Sequence, residues 1–275
     1  MYNKVYIEIT NICNKNCSFC PGHTRTPQKM TPETFRLILD KLTTYTQYIY
    51  YHLMGEPLTH PLLPEFIRMA NDRGFKSIIT TNGTLLRKRS QELLSSNIHK
   101  INISLHSFED QPDSVFDTYI RELSEFAVAA AQRGTIVSLR LWNKGFDQGR
   151  NDVALSLLQK YIPGQWTENS RGLRIRDKLF LEWGERFAWP DTNAQIQGDT
   201  FYCYGLKDQF GILADGTVVP CCLDHNGDIA LGNILEEDLA SILNSPRATA
   251  IVEGFRRKTA AEELCKRCGF AQMFV

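Results

Sequence analysis

The chain has 275 residues, 43% of them hydrophobic, and its 31 Lys and Arg balance 31 Asp and Glu to a formal net charge of zero. That length suits one large domain with a small appendix, while the balanced charge argues against the basic footprint of a protein that binds long nucleic acid. No apolar stretch approaches a membrane span. Met1-Tyr2-Asn3-Lys4 leads into a strand rather than a signal peptide, so the eight cysteines predict a reducing, cytoplasmic setting, in which clustered thiols read as metal ligands or redox groups.

Apolar alternation and helical periods take turns through the first two-thirds of the chain. Residues 4–10 read as a strand that runs into a loop holding Cys13, Cys17 and Cys20. Thr31-Pro32-Glu33-Thr34 opens a helix with Pro at its first position, and Phe35, Leu37, Ile38 and Leu42 supply its buried face. A second strand covers 48–53, and a helix over 62–72 stops at Gly74. A third strand, 77–81, ends in Asn82-Gly83. A helix over 88–95 and a strand over 100–105 follow. The long helix 115–132 closes at Gly134, and a fifth strand covers 136–141. A helix over 152–161 and a sixth strand over 178–183 complete the series. Such alternation implies right-handed crossovers and a mainly parallel sheet. Six strands fall short of the eight of a closed barrel, so the expected fold is α/β, an open partial (β/α)6 barrel with ligands at the carboxyl ends of its strands.

Residues 198–275 differ in character and hold five of the eight cysteines. Two alternating runs, 210–214 and 217–220, flank Asp215-Gly216 as a hairpin. A helix over 235–243 follows, and Ser245-Pro246 opens another. The expected division is a core over 1–190 and a small hairpin-plus-helix domain over 198–275.

Thr10-Asn11-Ile12-Cys13-Asn14-Lys15-Asn16-Cys17-Ser18-Phe19-Cys20 carries the most chemistry. Three thiolates leave one corner of a four-iron cluster without a protein ligand. This C-x3-C-x2-C spacing, with Phe19 before the last cysteine, resembles the radical SAM (S-adenosylmethionine) superfamily. The resemblance implies that SAM chelates the open iron through its amine and carboxylate. One electron from the reduced [4Fe-4S] cluster then breaks the sulfur–C5′ bond, and the 5′-deoxyadenosyl radical takes a hydrogen atom from the substrate. A structural zinc or a ferredoxin-like centre is the competing reading, and each normally wants a fourth close ligand.

Met54-Gly55-Glu56-Pro57, after the second strand, resembles the family's Gly-Gly-Glu segment with Met for the first Gly. That assigns Gly55, Glu56 and Pro57 to SAM binding. Thr80-Thr81-Asn82-Gly83 also resembles the family pattern and adds Asn82, against the alternative of a simple turn. Ser104 inherits contact with the SAM carboxylate or ribose, although His106-Ser107 stand where Asp-Gly is common. Phe19 inherits packing against adenine. Arg140, on an apolar strand, must be paired; the SAM carboxylate and Glu182 are both candidate partners.

Cys203, Cys221 and the pair in Cys265-Lys266-Arg267-Cys268 resemble the twitch domain, the short form of the SPASM domain. The resemblance implies one auxiliary [4Fe-4S] cluster on Cys203, Cys221, Cys265 and Cys268. Cys222 is left over; it could replace Cys221, but the Gly-x4-Cys spacing favours Cys221. A four-cysteine zinc ribbon is the alternative for this tail taken alone. Four protein ligands leave no open corner, which favours electron transfer and a net oxidation. The arrangement resembles a dehydrogenase branch that oxidises an alcohol to a ketone. The molybdenum-cofactor cyclases carry a related domain with three cysteines at another spacing, which this chain lacks.

Arg186 and Glu182 are the catalytic candidates; Arg186 loosely matches an arginine of the dehydrogenase branch, with an ion pair to Glu185 or Glu182 as the ordinary alternative. Glu8, alternating inward before the cysteine loop, is a further pocket candidate. The expected function is radical SAM oxidation or modification of a small metabolite, served by a flavodoxin- or ferredoxin-type reductant. Modification of a ribosomal peptide or an RNA base, and a non-catalytic iron–sulfur electron carrier, are the alternatives.

Overall fold

The computed structural model describes residues 1–108 and 111–274. In chain order its elements are β1 (Lys4–Ile7), α1 (Pro32–Leu42), β2 (Tyr48–Tyr50), α2 (Leu63–Asn71), β3 (Lys76–Thr81), α3 (Leu86–Ser95), β4 (Lys100–Ser104), α4 (Asp113–Gln132), β5 (Ile136–Lys144), α5 (Arg150–Tyr161), β6 (Thr167–Asn169), β7 (Gly172–Arg176), β8 (Leu179–Glu185), β9 (Gln209–Ile212), β10 (Thr217–Val219), β11 (Gly232–Asn233), α6 (Leu239–Leu243), α7 (Pro246–Arg256) and α8 (Glu263–Lys266). The fold is mixed α/β with mainly parallel strands, as the strand–helix alternation predicts. Among the described residues no helix is long and apolar enough to cross a membrane.

The chain forms two compact units. The first joins Met1–Glu56 and Asp72–Phe75 to everything from Phe187 onward, and the second holds Pro57–Asn71 and Lys76–Arg186.

In the first unit β1 lies between two parallel neighbours, β2 and β9. The hairpin of β9 and β10 is antiparallel, and β10 pairs in turn with the two-residue β11. Val5, Ile7, Phe210, Ile212 and Val218 are all fully buried, which explains why β1 takes a partner on each side: burial on both faces suits a parallel strand. Helix α1 starts where the sequence predicts, with the Thr31 hydroxyl accepting from the Thr34 amide at 3.2 Å and Pro32 in the first turn. Its buried face is Phe35, Ile38, Leu39 and Leu42. Leu37, expected inside, is 56% exposed, because at 100° per residue it falls off the stripe that Leu39 fills.

In the second unit β3, β4, β5 and β8 run parallel in that order. Helices α2 to α5 connect or follow these strands. The sequence reading misses β6 and β7, an antiparallel extension on β8. Thr167, Glu168 and Asn169 are all exposed, so no alternation marks them. Gly172, at φ +154°, leaves room where a Cβ would stand 2.2 Å from the Leu181 carbonyl.

Candidate metal centres and cofactor-binding residues

In the first unit, the chain leaving β1 closes a loop over residues 10–29. Its neck is made by reciprocal bonds: the Asn11 side-chain amide donates to Thr26 O at 2.9 Å and its Oδ1 accepts from the Gln28 amide at 2.7 Å. The Thr10 hydroxyl donates to Gln28 O at 2.9 Å and accepts from the Ile12 amide at 3.1 Å. Cys13 and Cys20 are exposed on this loop and Cys17 is half-buried. The Lys15 amide donates to Cys13 Sγ at 3.4 Å, and the Cys20 amide to Cys17 O at 3.1 Å. A short loop of this kind displays three sulfurs without hiding them, which suits thiolates that share an inorganic core with an exogenous ligand.

The turn after β2 sits against the start of that loop. Gly55 has φ +75°, and a Cβ there would lie 2.4 Å from the Thr10 carbonyl oxygen, so only Gly permits the approach. The Glu56 amide donates to Ile12 O at 3.0 Å, and Glu56 is 2% exposed. The structure therefore brings Gly55 and Glu56 beside the Cys13 end of the loop. Phe19 is half-buried on it.

Glu8 is fully buried at the end of β1. Its carboxylate takes both arms of the Arg25 guanidinium, at 2.6 and 2.7 Å. The Met54 amide donates to Glu8 Oε2 at 3.1 Å and the Ala214 amide to Oε1 at 3.2 Å. Sequence reasoning places Glu8 inward but misses Arg25. The signal was available, since a carboxylate in an apolar strand requires a cation.

The second cysteine set lies further along the same unit. Cys203, Cys221, Cys265 and Cys268 line one cavity with Asp224, Leu223, Ile229 and Phe255 among its walls. Burial pushes the Cys203 and Cys221 thiols up; it raises Cys265 too and brings Cys268 to about 11. The neighbouring sulfurs add to the rise at Cys221 and Cys265. Cys268 is buried and the other three are half-buried; thiols that repel one another as thiolates need a cationic core to ionise, and a metal centre provides one. Among the described residues no three His, Cys, Asp or Glu side chains converge on a position for a single metal ion.

Cys222 points elsewhere. It packs against the core formed by Tyr6, Leu53, Leu213 and Val219. Burial raises its thiol, and a hydrogen bond with Tyr6 opposes the rise. Asp224, also missed from sequence, is 1% exposed; its carboxylate accepts from the Gly227, Asp228 and Ile229 amides at 3.1, 2.9 and 2.9 Å. Those bonds shape the loop leaving the cavity, although burial still raises the group.

In the second unit, Asn82 follows β3 and Ser104 ends β4. The Asn82 carbonyl accepts from the Tyr119 hydroxyl at 2.8 Å and from the Ser107 hydroxyl at 3.2 Å. The Ser107 hydroxyl lies 2.7 Å from Ser104 O. Pro57 opens a short 3₁₀ turn and is buried. Arg140 and Glu182 face each other in register on β5 and β8, with Arg140 Nε 3.7 Å from Glu182 Oε2 and Lys100 Nζ 3.8 Å from Oε1. Of the two partners proposed for Arg140, Glu182 is therefore in place, and the guanidinium also lies 4.4 Å over the Trp142 ring. Arg186 stacks on Phe146 at 5.1 Å, in place of the expected ion pair. His106 is half-buried, and its Nδ1 lies 3.3 Å from the Trp142 amide, from which it accepts when unprotonated, and 3.2 Å from the Arg140 carbonyl, to which it donates when protonated. Burial, with Arg140 nearby, lowers its pKa to about 4.

Comparison with known proteins gives this geometry a family. Residues 7–131 match the radical SAM superfamily and residues 203–269 match SPASM, an iron–sulfur cluster-binding domain. Cys13, Cys17, Cys20, Gly55, Glu56, Asn82 and Ser104 fall in the first match and the four cavity cysteines in the second, whereas Arg140, Glu182 and Arg186 fall in neither. The chain is 23% identical, over 98% of its length and 93% of the relative's, to an S-adenosyl-L-methionine-dependent 2-deoxy-scyllo-inosamine dehydrogenase of Niallia circulans. It is 34% identical to a GTP 3′,8-cyclase of Chlorobaculum tepidum, but over 38% of this chain and 33% of that protein. Among solved structures, BtrN in complex with AdoMet and 2-DOIA matches at TM-score 0.63 and 18% identity, covering 98% of this chain and 93% of that one. Streptococcus suis SuiB bound to its precursor peptide SuiA matches at TM-score 0.57 and 15% identity, covering 99% of this chain and 70% of that one. The chain is a radical SAM enzyme that carries a SPASM domain, and its cofactors are S-adenosylmethionine and [4Fe-4S] clusters.

Proposed function

We propose that the enzyme oxidises a small hydroxylated metabolite to a carbonyl product, with one auxiliary cluster as acceptor of the second electron. The observation that carries this reading is the cavity ringed by Cys203, Cys221, Cys265 and Cys268. Four protein thiolates saturate a four-iron core, which leaves it able to move electrons rather than bind substrate. Similarity to the inosamine dehydrogenase over 98% of the chain supports the same reaction class.

Cys13, Cys17 and Cys20 would hold the first cluster, and Gly55, Glu56, Pro57, Asn82, Ser104 and Arg140 would contact S-adenosylmethionine, with Phe19 against its adenine. When bound, these groups supply a 5′-deoxyadenosyl radical that abstracts a hydrogen atom from substrate. Loss of one hydrogen atom, one electron and one proton completes a two-electron oxidation of an alcohol. Glu182, between Lys100 and Arg140, can accept that proton. Arg186, on Phe146, would orient the substrate. A flavodoxin- or ferredoxin-type donor in a reducing cytoplasm would supply the first electron.

Iron analysis and product assay test this together. About eight irons per chain are expected from two four-iron clusters. Reduced protein with S-adenosylmethionine should release 5′-deoxyadenosine, and one equivalent of ketone should form per equivalent with a polyhydroxylated or aminocyclitol substrate. Cys268→Ala should keep cofactor cleavage and lose ketone formation. A Cys268→Ala protein that forms ketone as fast as wild type would refute the acceptor role of the auxiliary cluster.

A further inference from the structure

We infer that Glu8 and Arg25 are a positioning pair for S-adenosylmethionine, holding the turn at residues 54–56 against the cysteine loop and tying both to the segment that follows Cys221. The inference rests on the proposed role of Gly55 and Glu56.

Both oxygens of Glu8 are committed twice. Oε1 takes Arg25 Nη1 at 2.6 Å and the Ala214 amide at 3.2 Å; Oε2 takes Arg25 Nη2 at 2.7 Å and the Met54 amide at 3.1 Å. Only an ionised carboxylate offers acceptor sites to all four donors. Arg25 then reaches on, its Nε donating to His225 O at 2.9 Å. Next to it, the Thr24 amide donates to Asn226 Oδ1 at 3.0 Å. Five segments of the chain therefore meet on one buried ion pair: the end of β1, the descending limb of the cysteine loop, the turn after β2, Ala214 after β9 and the stretch at 225–226.

The turn is pinned at both ends. The Met54 amide is fixed by Glu8, and the Glu56 amide by Ile12 O at 3.0 Å. Gly55, between them, runs so close to the Thr10–Asn11 backbone that a Cβ on it would stand 2.4 Å from Thr10 O and 2.8 Å from the Asn11 carbonyl carbon. A buried charged pair is poor value for stability alone, since an apolar substitute of the same volume often serves as well. Its use here is orientation. The fork fixes where a carbonyl and a carboxylate of residues 54–56 face relative to the three thiols, as partners behind a ligand shell do in other sites.

Glu8→Gln and Arg25→Lys test the pair, read by equilibrium binding of S-adenosylmethionine and by the change that binding makes in the electron paramagnetic resonance spectrum of the reduced cluster. Glu8→Gln should retain full iron content, weaken S-adenosylmethionine binding by about 10–100-fold and alter that spectral change. Arg25→Lys keeps the charge but loses the fork, so it should not restore wild-type affinity. If Glu8→Gln does not fold, the double variant Glu8→Gln/Arg25→Met removes both charges and takes its place with the same expectation. Full iron, affinity within about twofold of wild type and an unchanged spectrum in the folded variant overturn the inference. Wild-type protein run in parallel separates the two failures: if it neither binds nor cleaves S-adenosylmethionine, the proposed function itself falls.

Discussion

Gly55 concentrates the site's demands in one residue. Its positive φ, and the 2.4 Å at which a Cβ would meet the Thr10 carbonyl oxygen, exclude a methyl group both by backbone strain and by contact. Gly55→Ala should therefore destabilise the protein by more than about 1 kcal/mol, and melting of the cluster-loaded protein, with S-adenosylmethionine affinity alongside, would measure it. At this scale the sequence is most readable where chemistry is written in spacing. The seven cysteines proposed as ligands stand out because thiols at fixed close intervals read as metal ligands or redox groups. Arg25 and Asp224 were not, because each acts through partners distant in sequence or through backbone amides. Arg25 makes its ion pair seventeen positions from Glu8; the inward carboxylate calls for a cation, but the loop composition does not say which one.

At the scale of elements, helices were read well and short exposed strands poorly. The capped starts of α1 and α7, with Thr31 and Ser245 hydroxyls accepting from amides three residues on, are local signals carried by adjacent residues. β7 can lie against β8 because Gly172 has no Cβ to meet the Leu181 carbonyl, a tertiary fact with no periodic signature. The irregularity in β5 between Leu141 and Lys144 shows what a mismatched strand requires: the freed Trp142 amide donates to His106 Nδ1 at 3.3 Å. That bond needs a neutral ring nitrogen. With its pKa lowered from 6.5 to about 4, His106 binds its proton more readily in the unfolded chain. Its contribution is therefore complete above pH 6.5 and lost as pH falls toward 4. Between pH 7.5 and 5.5 the stability of the wild type should drop by about 1 kcal/mol more than that of His106→Asn. Denaturant midpoints of the holoprotein at both values would check it, and equal drops would remove the role of the neutral ring.

At the scale of the whole molecule, sequence order and structural grouping part company. The sequence suggests a break near residue 190, yet residues 1–56 cluster with everything after Phe187. The reason is the parallel pairing of β1 with β9, four residues deep from Lys4 with Gln209 to Ile7 with Ile212. Composition signals a boundary, but hydrogen-bond partners two hundred positions apart leave no trace in it. A chain ending at residue 190 would leave that flank of β1 as a bare apolar edge, a template for intermolecular pairing. Such a truncation should sediment with the insoluble fraction on expression, and a soluble monomer by light scattering would contradict this.

The same ladder sets a schedule for synthesis. β1 leaves the ribosome before the other described strands, and its partner β9 begins only at Gln209. At about 5–20 residues per second, the first strand waits on the order of 10–40 s for its mate. Through that interval the nascent chain carries an apolar ribbon and a trio of oxidisable thiols with no finished sheet behind them. Until that hairpin arrives this flank of β1 has no partner, so completion of the ladder beside the cysteine loop waits on residues 209–219.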